Sequence, residues 1–215
     1  MRRRSTGDYD APVSRKKQRV PYHLDAGVVT SLAENEIAAI LRGADTMIAR
    51  GGRTQLAKLL KGSREASVLE HGLDRCPSYG YYREWKHEEI LHRIDWVIQQ
   101  GFLQIEYFGQ LPVLTFTPEG WAIEVETMAE EVLRSFDTRL AAGPPYDFSD
   151  LQDRNRQMIL LLLDKLEASG RPELIPLLEA WAEIDYAKVR ARIARVIRAF
   201  SPAAVTPDGV QRPSS

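Results

Sequence analysis

Two basic side chains, Lys61 and Arg64, flank a Gly-Ser pair at which one short helix is predicted to end and another to begin. Free backbone amides at a helix start, together with two cations, form a natural phosphate site. The other interpretation is a plain helix-turn-helix corner with solvated cations. A second basic group, Arg83, Lys86 and His87, lies at the polar start of a longer predicted helix. Both groups favour anion binding.

The sequence shows no pattern for catalysis or metal binding. His87 and His92 are five positions apart, which does not place two ligands on one helical face. The neighbouring Glu88 and Glu89 are typical of a solvated face. The single cysteine, Cys76, has no partner for a disulfide or a zinc site. We therefore expect no metal, no cofactor and no enzymatic activity, with an active site assembled from distant residues as the remaining alternative.

Composition and charge give a cytoplasmic protein as the expectation. The 215 residues are 44% hydrophobic with a net charge of -1, which is ordinary for a globular protein. The longest apolar run, 158–163, is too short to span a membrane, and no secretory signal is recognised at the N-terminus. Basic residues concentrate in the first 20 positions, which predicts either an electrostatic arm or a solubilising tail.

Three helices are predicted to position the basic groups. Ser31 and Glu34 have the spacing of a capping box for the first helix. Thr54 is a good N-cap for the second helix, and Ser63 for the short one after it. The third long helix is predicted over about 85–100, with an apolar stripe on one face.

A β-hairpin follows, with strands 102–108 and 113–117 and an apolar turn. The order helix, hairpin, helix is typical of a winged helix. Tyr107 and Phe108 stand at the hairpin tip, beside Leu111. Exposed apolar tips are costly unless they contact something. The tip therefore stacks on a nucleobase, contacts a partner protein, or folds onto the helices that follow.

The remaining chain is predicted to be helical. Pro118 begins a helix with an apolar stripe, and a Gly/Pro-rich break follows at 141–150. The last predicted helix, 186–200, has a basic face that either binds phosphates or pairs with the acidic residues of segment 124–131, and internal pairing is the simpler interpretation. The fold class is thus mainly α with a small β-hairpin, a winged helix followed by an appended α-helical region. The predicted divisions are a basic flexible arm (1–24), the winged helix (25–122), a connecting helix and linker (123–145), a helical region (146–200) and a disordered tail (201–215).

Four runs, GGRTQLAKLLKGSREASVLEHGL, SYGYYREW, VIQQGFL and LTFTPEG, in this order and spacing resemble the RQC winged helix. This is the C-terminal domain of RecQ-type DNA helicases, and the resemblance covers about residues 32–124. With HLDAG at 23–27, the chain is most similar to stand-alone bacterial proteins of the RQC-minor type. It differs from the helicases in having neither a G-x4-G-K-[ST] loop for ATP nor a four-cysteine zinc module.

The resemblance implies binding of duplex DNA or of a duplex end or junction, in an accessory role in DNA repair, recombination or replication. The aromatic tip would act as a wedge at the duplex end, although without an ATP loop it cannot drive unwinding. The alternative is a protein-interaction module that docks a helicase or nuclease or forms a homodimer; the oligomeric state is left open. The DNA-binding residues expected on the first interpretation are Arg53, Thr54, Lys61, Ser63, Arg64, Arg83, Lys86, His87, Tyr107 and Phe108.

Overall fold

The structure is a computed structural model that describes residues 19–152 and 154–200. These residues are mainly helical and include one two-stranded antiparallel sheet, so the predicted fold class is confirmed. Most of the predicted basic arm and the whole predicted tail, residues 1–18 and 201–215, lie outside the described residues. The described chain divides into two compact units, one of residues 19–33 and 43–117 and one of residues 34–42, 118–152 and 154–200.

Eight α-helices and two strands make up the described part of the chain. The helices are α1 (Glu34–Asp45), α2 (Arg53–Lys61), α3 (Ala66–Leu69), α4 (His87–Gln99), α5 (Pro118–Ala142), α6 (Arg156–Ser169), α7 (Ile175–Ile184) and α8 (Ala187–Phe200). The strands are β1 (Leu103–Phe108) and β2 (Leu111–Phe116).

The core of the first unit forms where α2 packs against α4. Leu56, Leu59 and Leu60 recur at helical spacing on α2, and all three are fully buried. Ile90 and Ile94 form the matching buried stripe of α4. Burial of this many aliphatic side chains fixes the faces of both helices, and with them the positions of their ends.

The hairpin is closed by a two-residue turn at Gly109 and Gln110, where Gly109 has a φ of 65°. Tyr107 pairs with Pro112 and Phe108 with Leu111, so Pro112 belongs to the strand rather than to the turn. The other edge of β2 is held by the segment after α1, since Ala49 N–H donates to Leu114 O and Leu114 N–H donates to Gly51 O, both at 2.9 Å. The hairpin is thereby anchored at its base.

Two predicted helix starts are wrong. The helix α1 begins at Glu34, three positions after Ser31. The N-cap of α2 is Gly52, which places Thr54 in the first turn rather than at the cap. The helix α1 thus begins later than predicted, and the cap of α2 lies two positions earlier than predicted.

The second unit is a helical assembly around one apolar core formed by α5 to α8. Its centre is an aromatic cluster in which the Phe136, Phe148 and Trp181 rings lie 5.4 to 6.1 Å apart, all fully or almost fully buried. Because Phe148 comes from the Gly/Pro-rich break at 141–150, that break lies inside the unit, and α5 shares its core with the helices after it. The predicted boundaries at 123 and 146 stay predictions.

The charged residues of this unit differ from expectation in two ways. Glu124 is fully buried, not on a solvated face, and its carboxylate lies 3.6 Å from the guanidinium of Arg42. The basic face of α8 pairs with α6 rather than α5, since Arg192 contacts Asp164 and Glu167 at 2.6 and 2.5 Å. The acidic face of α5 instead binds the Lys165 ammonium through Glu126 and Glu130.

Candidate nucleic-acid interface

The turn after α2 is shaped by Gly62. Its φ of 74° is left-handed, and its N–H donates to Leu59 O at 2.9 Å while the Ser63 N–H donates to Lys58 O at 2.9 Å. This is a Schellman-type helix end, which favours glycine. A Cβ at Gly62 would also lie 3.1 Å from the Cα of Gly80. The sequence therefore brings the segment around Gly80 into backbone contact with the turn.

Two segments that were predicted separately form one surface. Tyr82 N–H donates to Leu60 O at 2.8 Å, and the Tyr79 hydroxyl donates to Ser63 O at 3.0 Å. The Lys61 ammonium donates to the carbonyls of Arg83 and Trp85 at 2.6 and 2.5 Å. Lys61 therefore ties residues 83–85 to the end of α2, and two of its three donors are already used.

The cations that remain turned to solvent at this surface are Arg64, Arg83 and Lys86, with His87 beside them; all four are exposed. His87 is the first residue of α4, a helix of 13 residues. The first backbone amides of this helix have no acceptor within the helix. One of them is capped, because Glu89 accepts the Lys86 N–H at 2.8 Å. A helix start with three cations around it can hold phosphate oxygens.

Carboxylates reduce the positive charge of this surface. Glu65 contacts Lys58 at 2.6 Å, and this hydrogen bond holds the pKa of Glu65 below its ordinary value. The Ser63 hydroxyl accepts the Glu65 N–H at 3.3 Å and does not cap a helix, since α3 begins only at Ala66. The predicted fresh helix start beside Lys61 and Arg64 is therefore wrong.

Arg53 and Thr54 lie at the opposite end of α2, on the order of 12 Å along the helix axis from Lys61. Arg53 donates to both carboxylate oxygens of Asp95, a residue whose side chain is 4% exposed. Asp95 also accepts the Asp25 N–H at 2.8 Å. Thr54 is exposed and, with Arg53, lines a groove of about 400 Å³.

The two aromatic residues of the hairpin tip have different surroundings. The Tyr107 hydroxyl donates to Val20 O at 2.8 Å, and the Arg19 guanidinium lies 4.7 Å from its ring centroid. Tyr107 is thus held by the segment that precedes the domain. Phe108 is 77% exposed and its strand partner Leu111 is 62% exposed. Phe108 and Leu111, which we call the wing tip, face solvent.

Sequence reasoning missed two residues, Trp85 at the surface around Lys86 and Asp95, the partner of Arg53. Trp85 is 39% exposed between Arg83 and Lys86, and the Arg93 guanidinium stacks 3.6 Å from its ring centroid. Asp95 was missed because one acidic residue inside an apolar stripe is usually read as solvated. The signal for Asp95 was its helical spacing of four positions from Leu91 and three from Ile98, two half-buried apolar residues beside the buried stripe of α4.

Neither a metal site nor a membrane span emerges from the described residues. Among residues 19–152 and 154–200, no group of three or more His, Cys, Asp or Glu side chains could hold a metal ion. Within the same residues, no helix has both the length and the apolar character needed to cross a bilayer.

A three-helix unit with a hairpin after its last helix defines a winged-helix domain. The family model described as RQC domain matches residues 30–139, just over half of the chain, and the chain belongs to the RQC family. The match continues past Glu124, where the resemblance ended, to Arg139 near the end of α5. RQC domains are non-catalytic winged-helix modules that generally bind DNA. No curated protein and no solved structure matches the chain.

Proposed function

We propose that this protein binds duplex DNA without catalysis and places its wing tip at a duplex end or junction. The observation that carries the proposal is the exposure of Phe108 and Leu111, 77% and 62%, at the end of a hairpin anchored at its base. Exposed apolar side chains of this size are costly unless they meet another surface. The terminal base pair of a duplex offers an apolar face on which a ring can stack.

We assign the phosphate contacts to the exposed cations of the surface that is formed by the end of α2 and the segment before α4. Arg64, Arg83 and Lys86 are exposed, and the start of α4 with His87 adds backbone amides. Ser63 and Thr54 supply hydroxyl groups at the two ends of α2. Arg53 and Lys61 act by positioning, because their donors are engaged by Asp95 and by the carbonyls of residues 83 and 85.

Charge reversal tests the phosphate contacts most cleanly at cations whose side chains are exposed, such as Arg64 and Lys86. Arg64→Glu and Lys86→Glu are each expected to weaken binding of a 20-base-pair duplex and to reduce the slope of log affinity against log salt by about 0.9. Arg134→Glu, at an exposed arginine of α5 whose guanidinium lies 3.9 Å from Glu130, changes the net charge equally and serves as the control. Fluorescence anisotropy over a salt series measures all three variants.

Lys61→Glu is a poor test, since it also removes the tie to residues 83–85. If Arg64→Glu, Lys86→Glu and the control shift the affinity and the salt slope by the same amount, only net charge matters and the assigned phosphate contacts are wrong. Duplex binding that is insensitive to salt would contradict the proposal as a whole.

A protein-docking function is the second candidate, and it is supported by the internal engagement of the cations. Lys58, Lys61 and Arg53 are all bound to groups of the protein itself, and Glu65 adds a negative charge at the turn. The wing tip would then seat on a helicase, a nuclease or a second copy of this chain. Light scattering that shows a dimer, with no shift of any DNA, would favour this function. The accessory role in repair, recombination or replication and a cytoplasmic, nucleoid-associated location stay predictions.

A further inference from the structure

A groove in the second unit carries a separate cluster of cations. It has a volume of about 540 Å³ and lies where α6 and α8 begin. This volume is within the range of sites that hold a ligand of drug size, which is also the size of a nucleotide. All residues that line the groove fall after residue 150, beyond the end of the family match at Arg139.

Three basic side chains line this groove from two different elements. Arg154 and Arg156 come from the start of α6, and Lys188 comes from the first turn of α8; all three are exposed. Their convergence from residues more than 30 positions apart is produced by the packing of α6 against α8. Basic groups placed around one concave surface attract a polyanion.

The acidic residue that lines the groove, Asp185, is committed to the fold. Its Oδ2 accepts the indole N–H of the buried Trp181 at 2.8 Å, and its Oδ1 accepts the Tyr186 N–H at 2.7 Å. Both oxygens thus stabilise the turn between α7 and α8. The carboxylate lowers the positive charge of the groove by one unit. The Arg154 Nε–H also donates to Asp150 O at 2.8 Å, but the guanidinium keeps its charge and stays exposed with Arg156 and Lys188.

An aromatic ring stands beside the three cations. Tyr186 is 71% exposed at the rim of the groove, directly before α8. The floor is apolar, with Leu151, Ile159 and Val189. A polyanion with flat apolar faces, rather than a polyanion alone, fits this combination of charge, floor and ring.

We propose that this groove binds a single strand of nucleic acid, with Arg154, Arg156 and Lys188 on its phosphates and Tyr186 stacked on a base. Single strands are bound by basic grooves that carry exposed aromatic rings, because every unpaired base offers a face for stacking. An acidic peptide would satisfy the cations but would not cover the exposed surface of Tyr186 or the apolar floor. This site is separate from the wing tip and does not depend on the function proposed for it.

The test uses the full-length chain and a fluorescein-labelled oligo(dT) 20-mer, measured by anisotropy over a salt series. Arg156→Glu and Lys188→Glu are each expected to lower the affinity and to reduce the salt slope by about 0.7. Tyr186→Ala is expected to lower the affinity about fivefold or more with the slope unchanged, since stacking is not a charge interaction. Arg134→Glu again serves as the charge-matched control and is expected to leave the slope as in the wild type.

The proposal is overturned if the groove variants bind oligo(dT) as the wild type does, or if Arg134→Glu weakens binding as much as they do. Binding of a labelled octaglutamate peptide with no binding of oligo(dT) also overturns it and assigns the groove to acidic peptides. Circular dichroism confirms that each variant keeps its helices. Oligo(dT) has no duplex end, and the variants lie in the second unit. The oligo(dT) measurement therefore tests the groove even if the protein does not bind duplex ends.

Discussion

Arg53 and Asp95 form an ion pair that joins the start of α2 to α4. The Asp95 side chain is 4% exposed and the Arg53 side chain 22% exposed, so the charges are largely shielded from water. Asp95 also holds the entry segment through the Asp25 N–H. The pair thereby fixes the start of α2, the helix that leads to Lys61 and the Gly62 turn.

Asp95→Ala is expected to destabilise the protein by about 3 kcal/mol, because it leaves the largely buried Arg53 charge without its partner. Urea denaturation followed by circular dichroism measures the effect. Asp74→Ala, which removes an exposed carboxylate from the same unit, is expected to stay within about 0.5 kcal/mol of the wild type. A change at Asp95 as small as that of the control would show that the pair contributes little.

At the scale of elements, α6 and α8 are joined by a second charge cluster. Arg192 of α8 bridges Asp164 and Glu167 of α6, and Arg195 lies 3.5 Å from Glu167. The hydrogen bond from Arg192 holds the pKa of Glu167 below its ordinary value. A carboxyl with a lowered folded-state pKa stabilises the fold above its unfolded pKa, and this contribution is lost as the pH falls through the folded-state value.

Glu167→Gln is therefore expected to be less stable than the wild type at pH 7 and to approach it in acid, once the pH has fallen through the lowered folded-state pKa of Glu167 and the wild-type carboxyl is protonated as well. Urea midpoints of both proteins at the two pH values give the comparison. Glu179→Gln changes an exposed residue of α7, removes the same charge and provides the matched control. A stability gap for Glu167→Gln that is equal at both pH values would contradict the assigned ion pair.

The features that sequence reasoning predicted well are those with a local signal. The apolar stripe of α4 predicted the burial of Ile90 and Ile94, and the hairpin pattern placed Phe108 at the tip. The sequence did not decide whether this tip faces solvent or folds onto the helices that follow. The role of Lys61 could not be predicted, because its carbonyl partners are 22 and 24 residues away and meet it only after the Gly62 and Gly80 turns pack together. The partner of the basic α8 face was wrong for the same reason, since charge totals do not determine which helices are neighbours.

At the scale of the whole molecule, the two units carry different kinds of surface. The first unit, with most of the RQC match, presents the wing tip and the cations around Lys86. The second unit presents the cationic groove beside Tyr186. Each unit has a core of its own, built from separate sets of buried aliphatic and aromatic residues. We therefore propose duplex ends as the ligand of the first unit and single strands as the ligand of the second.

The most direct measurement compares binding of a blunt-ended duplex with binding of a dumbbell of the same sequence, whose ends are closed by loops. The wild type is expected to prefer the open duplex, and Phe108→Ala is expected to remove about tenfold of its affinity for it, since stacking on a base is worth about 1–3 kcal/mol. Val28→Ala removes another exposed apolar side chain of the first unit, 94% exposed, and should leave the preference intact. Equal binding of both DNAs by the wild type, or an unchanged preference in Phe108→Ala, would contradict the central claim that the wing tip meets a duplex end.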